Sequence, residues 1–70
     1  MTQPEAVINE LERRKGLFGI KAWISIRDIE LMGINSAYSV MKEVKQAVRL
    51  IQDVQEDMRS NKRWKIWRLV

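Results

Sequence analysis

The sequence predicts a small, mainly α-helical domain with a short β element. Three observations carry this prediction. Three stretches place apolar residues at helical spacing, and each opens on a residue suited to capping a helix. Two short segments, 21–24 and 63–70, are rich in tryptophan and β-branched residues, as strands are. The chain of 70 residues is 46% hydrophobic and 31% charged, the balance of one folded domain over 1–70 and not of a disordered tail.

In the first stretch, Thr2 stands three residues before Glu5, a capping-box spacing, with Pro4 in the first turn, where its missing N–H is harmless. Val7, Ile8 and Leu11 then share one face. Arg13, Arg14 and Lys15 favour a helix C-terminus, and Gly16 is a good helix stop. The prediction is a helix over 3–15 and a turn at Leu17-Phe18-Gly19. Lys21 to Ile24 reads as a short strand or extended segment. Ser25 and Asp28 form a second capping pair, and Ile26, Ile29 and Met32 make one face of a second helix apolar. Gly33 can take the positive φ that ends a helix sharply. Asn35 or Ser36 can cap a third helix over about 36–48, in which Ala37, Val40, Met41, Val44, Ala47 and Val48 form a stripe.

From Arg49 onward two continuations fit. In one, Val40, Val44, Ala47, Ile51, Val54 and Met58 alternate spacings of four and three, a heptad seam on one helix running to about residue 59. At 1.5 Å per residue such a helix is about 33 Å long, which predicts an all-α fold that dimerises through the seam. In the other, the helix ends near Val48, Arg49 to Val54 is a strand, Gln55 to Lys62 a polar loop, and Arg63 to Val70 a returning strand.

The composition excludes several classes of function. The chain has no Cys and no His, so thiolate or imidazole chemistry and the common metal sites are out of reach. Asp28 and Glu30, and Asp53, Glu56 and Asp57, lie on mixed faces with no nucleophile or base beside them, so no enzyme is expected, and no cofactor. No run approaches the roughly 18 apolar residues of a membrane span. The opening MTQPEAVINE lacks the basic-then-apolar pattern of a signal peptide. The expectation is a soluble cytoplasmic protein with no evident small-molecule ligand. A core this small buries only about 60% of the unfolded surface, so dimerisation would help it. The net charge is +4, and its excess gathers on the second helix of the pair around Gly33, about 36–48, and at the C-terminal end, where Arg59, Lys62, Arg63, Lys65 and Arg68 have no acid among them.

Residues Ser25 to Val44, a short capped helix, a glycine turn and a second capped helix, have the outline of a helix-turn-helix. With the flanking segments, the order becomes helix, strand, helix, turn, helix, strand, strand. WISIRDIELMGI, SAYSVMKEVKQAVRLIQDV with its Leu50-Ile51 pair, and KRWKIWRLV together resemble the winged helix-turn-helix domains of small archaeal, plasmid and phage regulators and excisionases. The chain departs from that pattern at Arg49, where a glycine usually ends the helix, and in QEDMRSNK, where the wing loop usually carries glycine. The resemblance implies sequence-specific binding of double-stranded DNA by a homodimer, in transcription regulation or as a mobile-element accessory factor. The third helix would enter the major groove, and the basic C-terminal wing would lie on phosphates.

On this reading Asn35, Ser36, Tyr38 and Ser39 meet base edges, sugar or thymine methyls at the start of the helix. Lys42 and Lys45 reach phosphate one and two turns on. Lys62, Arg63 and Lys65 do so from the wing, and Arg27 from the second helix. Each has a plain alternative: Asn35 and Ser36 as caps, Tyr38 as a cover on the core, the cations as a solvated edge strand. The three tryptophans are expected mainly in the core, with Trp23 stacked on a C-terminal Trp across paired strands. Two other functions remain open: a helical protein–protein adaptor or inhibitor using the 40–58 seam, and a membrane-surface role for NKRWKIWRLV, which mixes cations and tryptophan.

Overall fold

The computed structural model describes residues 2–70. Helix α1 spans Gln3–Phe18, and a single 3-10 turn covers Gly19–Lys21. Strand β1 is Ile24–Ser25, α2 is Ile26–Leu31, α3 is Ala37–Ala47, β2 is Leu50–Asp57 and β3 is Lys62–Leu69. The three strands form one antiparallel sheet in the order β1-β3-β2. β1 pairs Ile24 with Trp67 and Ser25 with Ile66. β2 and β3 form a hairpin running from Leu50 opposite Leu69 to Asp57 opposite Lys62.

The helix starts follow their capping residues. Thr2 Oγ1 accepts from the Glu5 amide at 3.3 Å. Ser25 and Asp28 complete a full capping box: Ser25 Oγ accepts from Asp28 N–H at 3.1 Å, and Asp28 Oδ2 accepts from Ser25 N–H at 3.0 Å. The third start differs from the expectation. Ser36 occupies the cap position of α3, but neither its side chain nor that of Asn35 caps the helix by a hydrogen bond. Its backbone stands at ψ 62°, against 163° and 165° at Thr2 and Ser25, which turns the hydroxyl from the first amides of the helix.

Four boundaries are corrected. The polar loop expected over 55–62 shrinks to a turn at 58–61, because Gln55, Glu56 and Asp57 pair with Trp64, Arg63 and Lys62 and extend the strands. α1 runs through Gly16 to Phe18, because the left-handed conformation that ends it is adopted by Gly19, at φ +60°. Of the extended segment expected over 21–24 only Ile24 pairs with β3; Lys21 belongs to the 3-10 turn, and the strand continues instead to Ser25. The continuous third helix does not form, and with it goes the all-α alternative. Val48 leaves α3 at φ −137° and ψ 157°, so the chain passes directly into β2 and Arg49 needs no glycine conformation. The heptad seam is dispersed: Val40 and Val44 lie in the core, Ile51 and Val54 on β2, and Met58 exposed in the hairpin turn.

Glycine is replaced in that turn too. Asp57 Oδ1 accepts from Arg59 N–H at 3.0 Å and its Oδ2 from the Ser60 hydroxyl at 2.8 Å. Asn61, at φ 57°, takes the left-handed position that asparagine tolerates better than most residues.

The core joins Val7 and Leu11 of α1, Ile24, Ile26 and Ile29, Ile34, and Ala37, Val40, Met41 and Val44 of α3 around Trp67. Trp67 is the largest buried side chain, and its indole N–H donates to Gln52 Oε1 at 3.2 Å, so burial leaves no polar atom of the ring unpaired. Trp23 meets a cation and not the expected tryptophan: the Arg68 guanidinium lies 5.1 Å from its ring centre. Arg14 binds the helical layer together, bonding Glu10 at 2.9 Å, the Trp23 carbonyl at 3.1 Å and Asp28 at 3.3 Å.

Candidate nucleic-acid interface

The inward residues of α3 recur at spacings of three and four, and this leaves Tyr38, Ser39, Lys42 and Lys45 exposed. Tyr38 is 60% exposed, so it is a surface residue and not a cover on the core. Asn35 and Ser36 stand exposed just before the helix.

Strand alternation sorts the hairpin. Arg63, Lys65, Trp67 and Leu69 share one face of β3, with Glu56, Val54, Gln52 and Leu50 opposite them on β2. Near the base of the hairpin this face is covered by the core, through Trp67. Further out it is open and meets the start of α3. Tyr38, Val54, Glu56, Arg63, Trp64 and Lys65 line a groove of about 390 Å³ there. Arg63 Nε lies 3.0 Å from Glu56 Oε1 in an exposed pair, which contributes at most about 1 kcal/mol and is open to exchange for another anion.

Lys45 occupies the junction of helix and hairpin. Its ammonium donates to Gln52 Oε1 at 2.9 Å and lies 5.6 Å from the Trp67 ring centre. It therefore fastens β2 to α3, a structural role that its sequence position did not reveal. Gln52, absent from the expected site, is the shared acceptor for Lys45 and Trp67. Its signal in the sequence is alternation alone: it is the polar residue on the inward register of a strand.

The structure brings Tyr38, Arg63 and Lys65 together, with Ser39 and Lys42 exposed on the same helix. It does not bring Arg27 and Lys62 to them. Lys62 alternates onto the opposite face of the hairpin, where it and Arg27 line a different cleft. Arg59, grouped in the sequence with the C-terminal cations, is exposed in the hairpin turn, and Arg49 is exposed between α3 and β2; neither lines the groove.

The perturbed ionisations lie away from this groove. Hydrogen bonds from Arg13 and Arg14 hold the Glu10 carboxyl down at about 2. The Ser60 hydroxyl and the Arg59 amide lower that of Asp57. Among the described residues no cluster of three or more acidic side chains is placed to hold a metal ion, and no helix is long and apolar enough to cross a membrane. The arrangement is a polar helix face flanked by a cationic strand, suited to an extended polyanion. No family model, characterised protein or solved structure matches the chain.

Proposed function

We propose that the chain is a winged helix-turn-helix domain that binds double-stranded DNA, as a small transcriptional regulator or mobile-element accessory factor. The observation that carries this reading is the groove where Tyr38 of α3 meets Arg63 and Lys65 of the hairpin. An α-helix with its side chains is about 10–12 Å across, and the major groove about 12 Å wide, so an exposed helix face enters it whole. With α3 so placed, the strand beside it runs along the phosphate backbone, and Arg63 and Lys65 are the cations it brings there. The element order and the β1-β3-β2 sheet support the same reading.

The residues assign a division of labour. Asn35, Ser36, Tyr38 and Ser39 offer hydrogen bonds and apolar contact to base edges. Lys42, Arg63 and Lys65 neutralise phosphate, and Lys45 does so only by giving up Gln52. The first turns of α3 contain no Arg, so the strong bidentate reading of guanine is absent. Specificity then rests on a second copy at a half-site about 34 Å away, as in palindromic operators.

Fluorescence anisotropy with random-sequence duplex at two salt concentrations tests the proposal, beside a variant carrying Lys42→Ala, Arg63→Ala and Lys65→Ala. Micromolar binding is expected, weakening by about 0.9 log unit per decade of salt for each phosphate neutralised, with a clearly shallower slope in the variant. Absence of binding at low salt, with the wild type folded, would overturn it.

A further inference from the structure

The hairpin divides its cations between two faces, and the face turned away from α3 has a cleft of its own. Lys62, Trp64, Ile66 and Arg68 alternate onto that face. The cleft holds about 580 Å³ and opens between this face and the β1–α2 junction, with Trp23 and Arg27 on one side and Lys62 and Trp64 on the other.

One oxygen of Asp28, both of Asp57 and that of Gln55 are engaged, and the cations of the cleft are not. Asp28 Oδ2 accepts from the Ser25 amide and from Arg14, at 3.0 and 3.3 Å. Asp57 is held by the Arg59 amide and the Ser60 hydroxyl, at 3.0 and 2.8 Å. Gln55 Oε1 accepts from the Trp64 indole N–H at 3.2 Å. The side chains of Arg27 and Lys62, by contrast, form no hydrogen bond or ion pair among the described residues. The cleft thus joins two unpaired cations to two half-buried indoles, of which Trp23 also carries the Arg68 guanidinium 5.1 Å from its ring centre.

A matching ligand has an anionic group and a flat unsaturated ring. A bare anion would leave the indoles unused, and an uncharged ring would leave the cations unpaired. A nucleotide unit carries both parts: a base that stacks on aromatic rings and a phosphate that takes charge-assisted hydrogen bonds. The volume lies within the range of small-ligand sites, about 300–1,000 Å³. We propose that this cleft binds a nucleotide unit, with its base against Trp23 and Trp64 and its phosphate held by Arg27 and Lys62. The cleft shares Trp64 with the α3 groove and no other lining residue, and the proposal does not rest on the duplex-binding reading. A free mononucleotide and an unpaired nucleic-acid strand both supply such a unit.

Titration with AMP at low salt, followed by the indole N–H resonances, tests the proposal. Those of Trp23 and Trp64 are expected to shift, and that of buried Trp67 to stay, with a Kd on the order of 1 mM. Adenosine and ribose 5-phosphate, each half of the unit, should bind about tenfold more weakly or worse. The double variant Arg27→Ala, Lys62→Ala changes two exposed, unpaired side chains. It should keep the wild-type circular dichroism and lose AMP affinity by about tenfold or more. A short oligodeoxyadenylate separates the sources: binding tighter per nucleotide than AMP, and lost in the double variant, identifies an unpaired strand, and equal binding identifies the free nucleotide. The proposal is overturned if neither probe shifts Trp23 or Trp64, if the double variant binds AMP as the wild type does, or if either half of the unit binds as well as AMP.

Discussion

Replacing Asp28 with alanine removes two contacts of one carboxylate, the bond that caps α2 and the bond to Arg14 of α1. Loss of a capping side chain costs about 1 kcal/mol. Loss of the Arg14 contact adds up to about 1 kcal/mol, held down because Asp28 is 36% exposed in that pair. The first loss is that of the Ser25 amide's acceptor in the capping box, so the total is roughly 1–2 kcal/mol. A 70-residue domain has in all roughly 3.5–10 kcal/mol. The variant should therefore melt about 4–16 °C lower, at about 4–8 °C per kcal/mol. Urea unfolding monitored by tryptophan fluorescence measures the change, with an unchanged m-value if the native state is intact. Asp28→Asn is the control: its amide oxygen still accepts from Ser25, so it should lose no more than about 1 kcal/mol. A loss below about 0.5 kcal/mol in Asp28→Ala, or an equal loss in both variants, would refute the assignment of α2's stability to this carboxylate.

Trp67→Ala should cost about 3–5 kcal/mol and leave little folded protein, whereas Trp67→Phe keeps most of the burial; a far-ultraviolet thermal melt of both checks this. Asn61→Gly should be neutral within about 0.5 kcal/mol and Asn61→Ala destabilising by about 1 kcal/mol, as left-handed backbone requires, again by urea unfolding. Glu10 has a carboxyl pKa lowered from 4.5 to about 2 in the folded chain. Its contribution is complete above the unfolded value and is lost as pH falls toward the folded one. Acid titrations of stability should therefore show a smaller decline between pH 4.5 and 2 in Glu10→Gln than in the wild type, and identical declines would contradict the Arg13 and Arg14 contacts.

The helix starts were legible because their causes are local: Thr2, Ser25 and Asp28 act within three residues of themselves. The end of α3 was not. Val40, Val44, Ile51 and Val54 suit a helical seam as well as a core and a strand, and the choice is made by β3. The pairing of Leu50 with Leu69 and of Gln52 with Trp67 supplies partners that no local pattern contains. The helix-strand-helix-turn-helix-hairpin order was readable, but the glycine rule placed the end of α1 at Gly16, three residues before the glycine that adopts the terminating conformation. The candidate groove was half visible. Tyr38, Ser39 and Lys42 follow from helical period, but Lys62 and Arg63 are neighbours in sequence and lie on opposite faces of a strand. The cleft around Trp23 and Trp64 was invisible, since β1, α2 and the hairpin meet there only after folding.

The middle strand of the sheet is the last element in chain order. β3 pairs with both β1 and β2, and it supplies Trp67 to the centre of the core. During synthesis, the helices and two outer strands therefore leave the ribosome before the piece that joins them. Until residues 62–69 emerge, Val7, Leu11, Ile29 and Val44 have no tryptophan to close on, and β1 and β2 have no strand between them. Completion is thus a single late event that depends on contacts distant in sequence. Before it, the nascent chain offers apolar helix faces and open strand edges to whatever binds unfinished proteins.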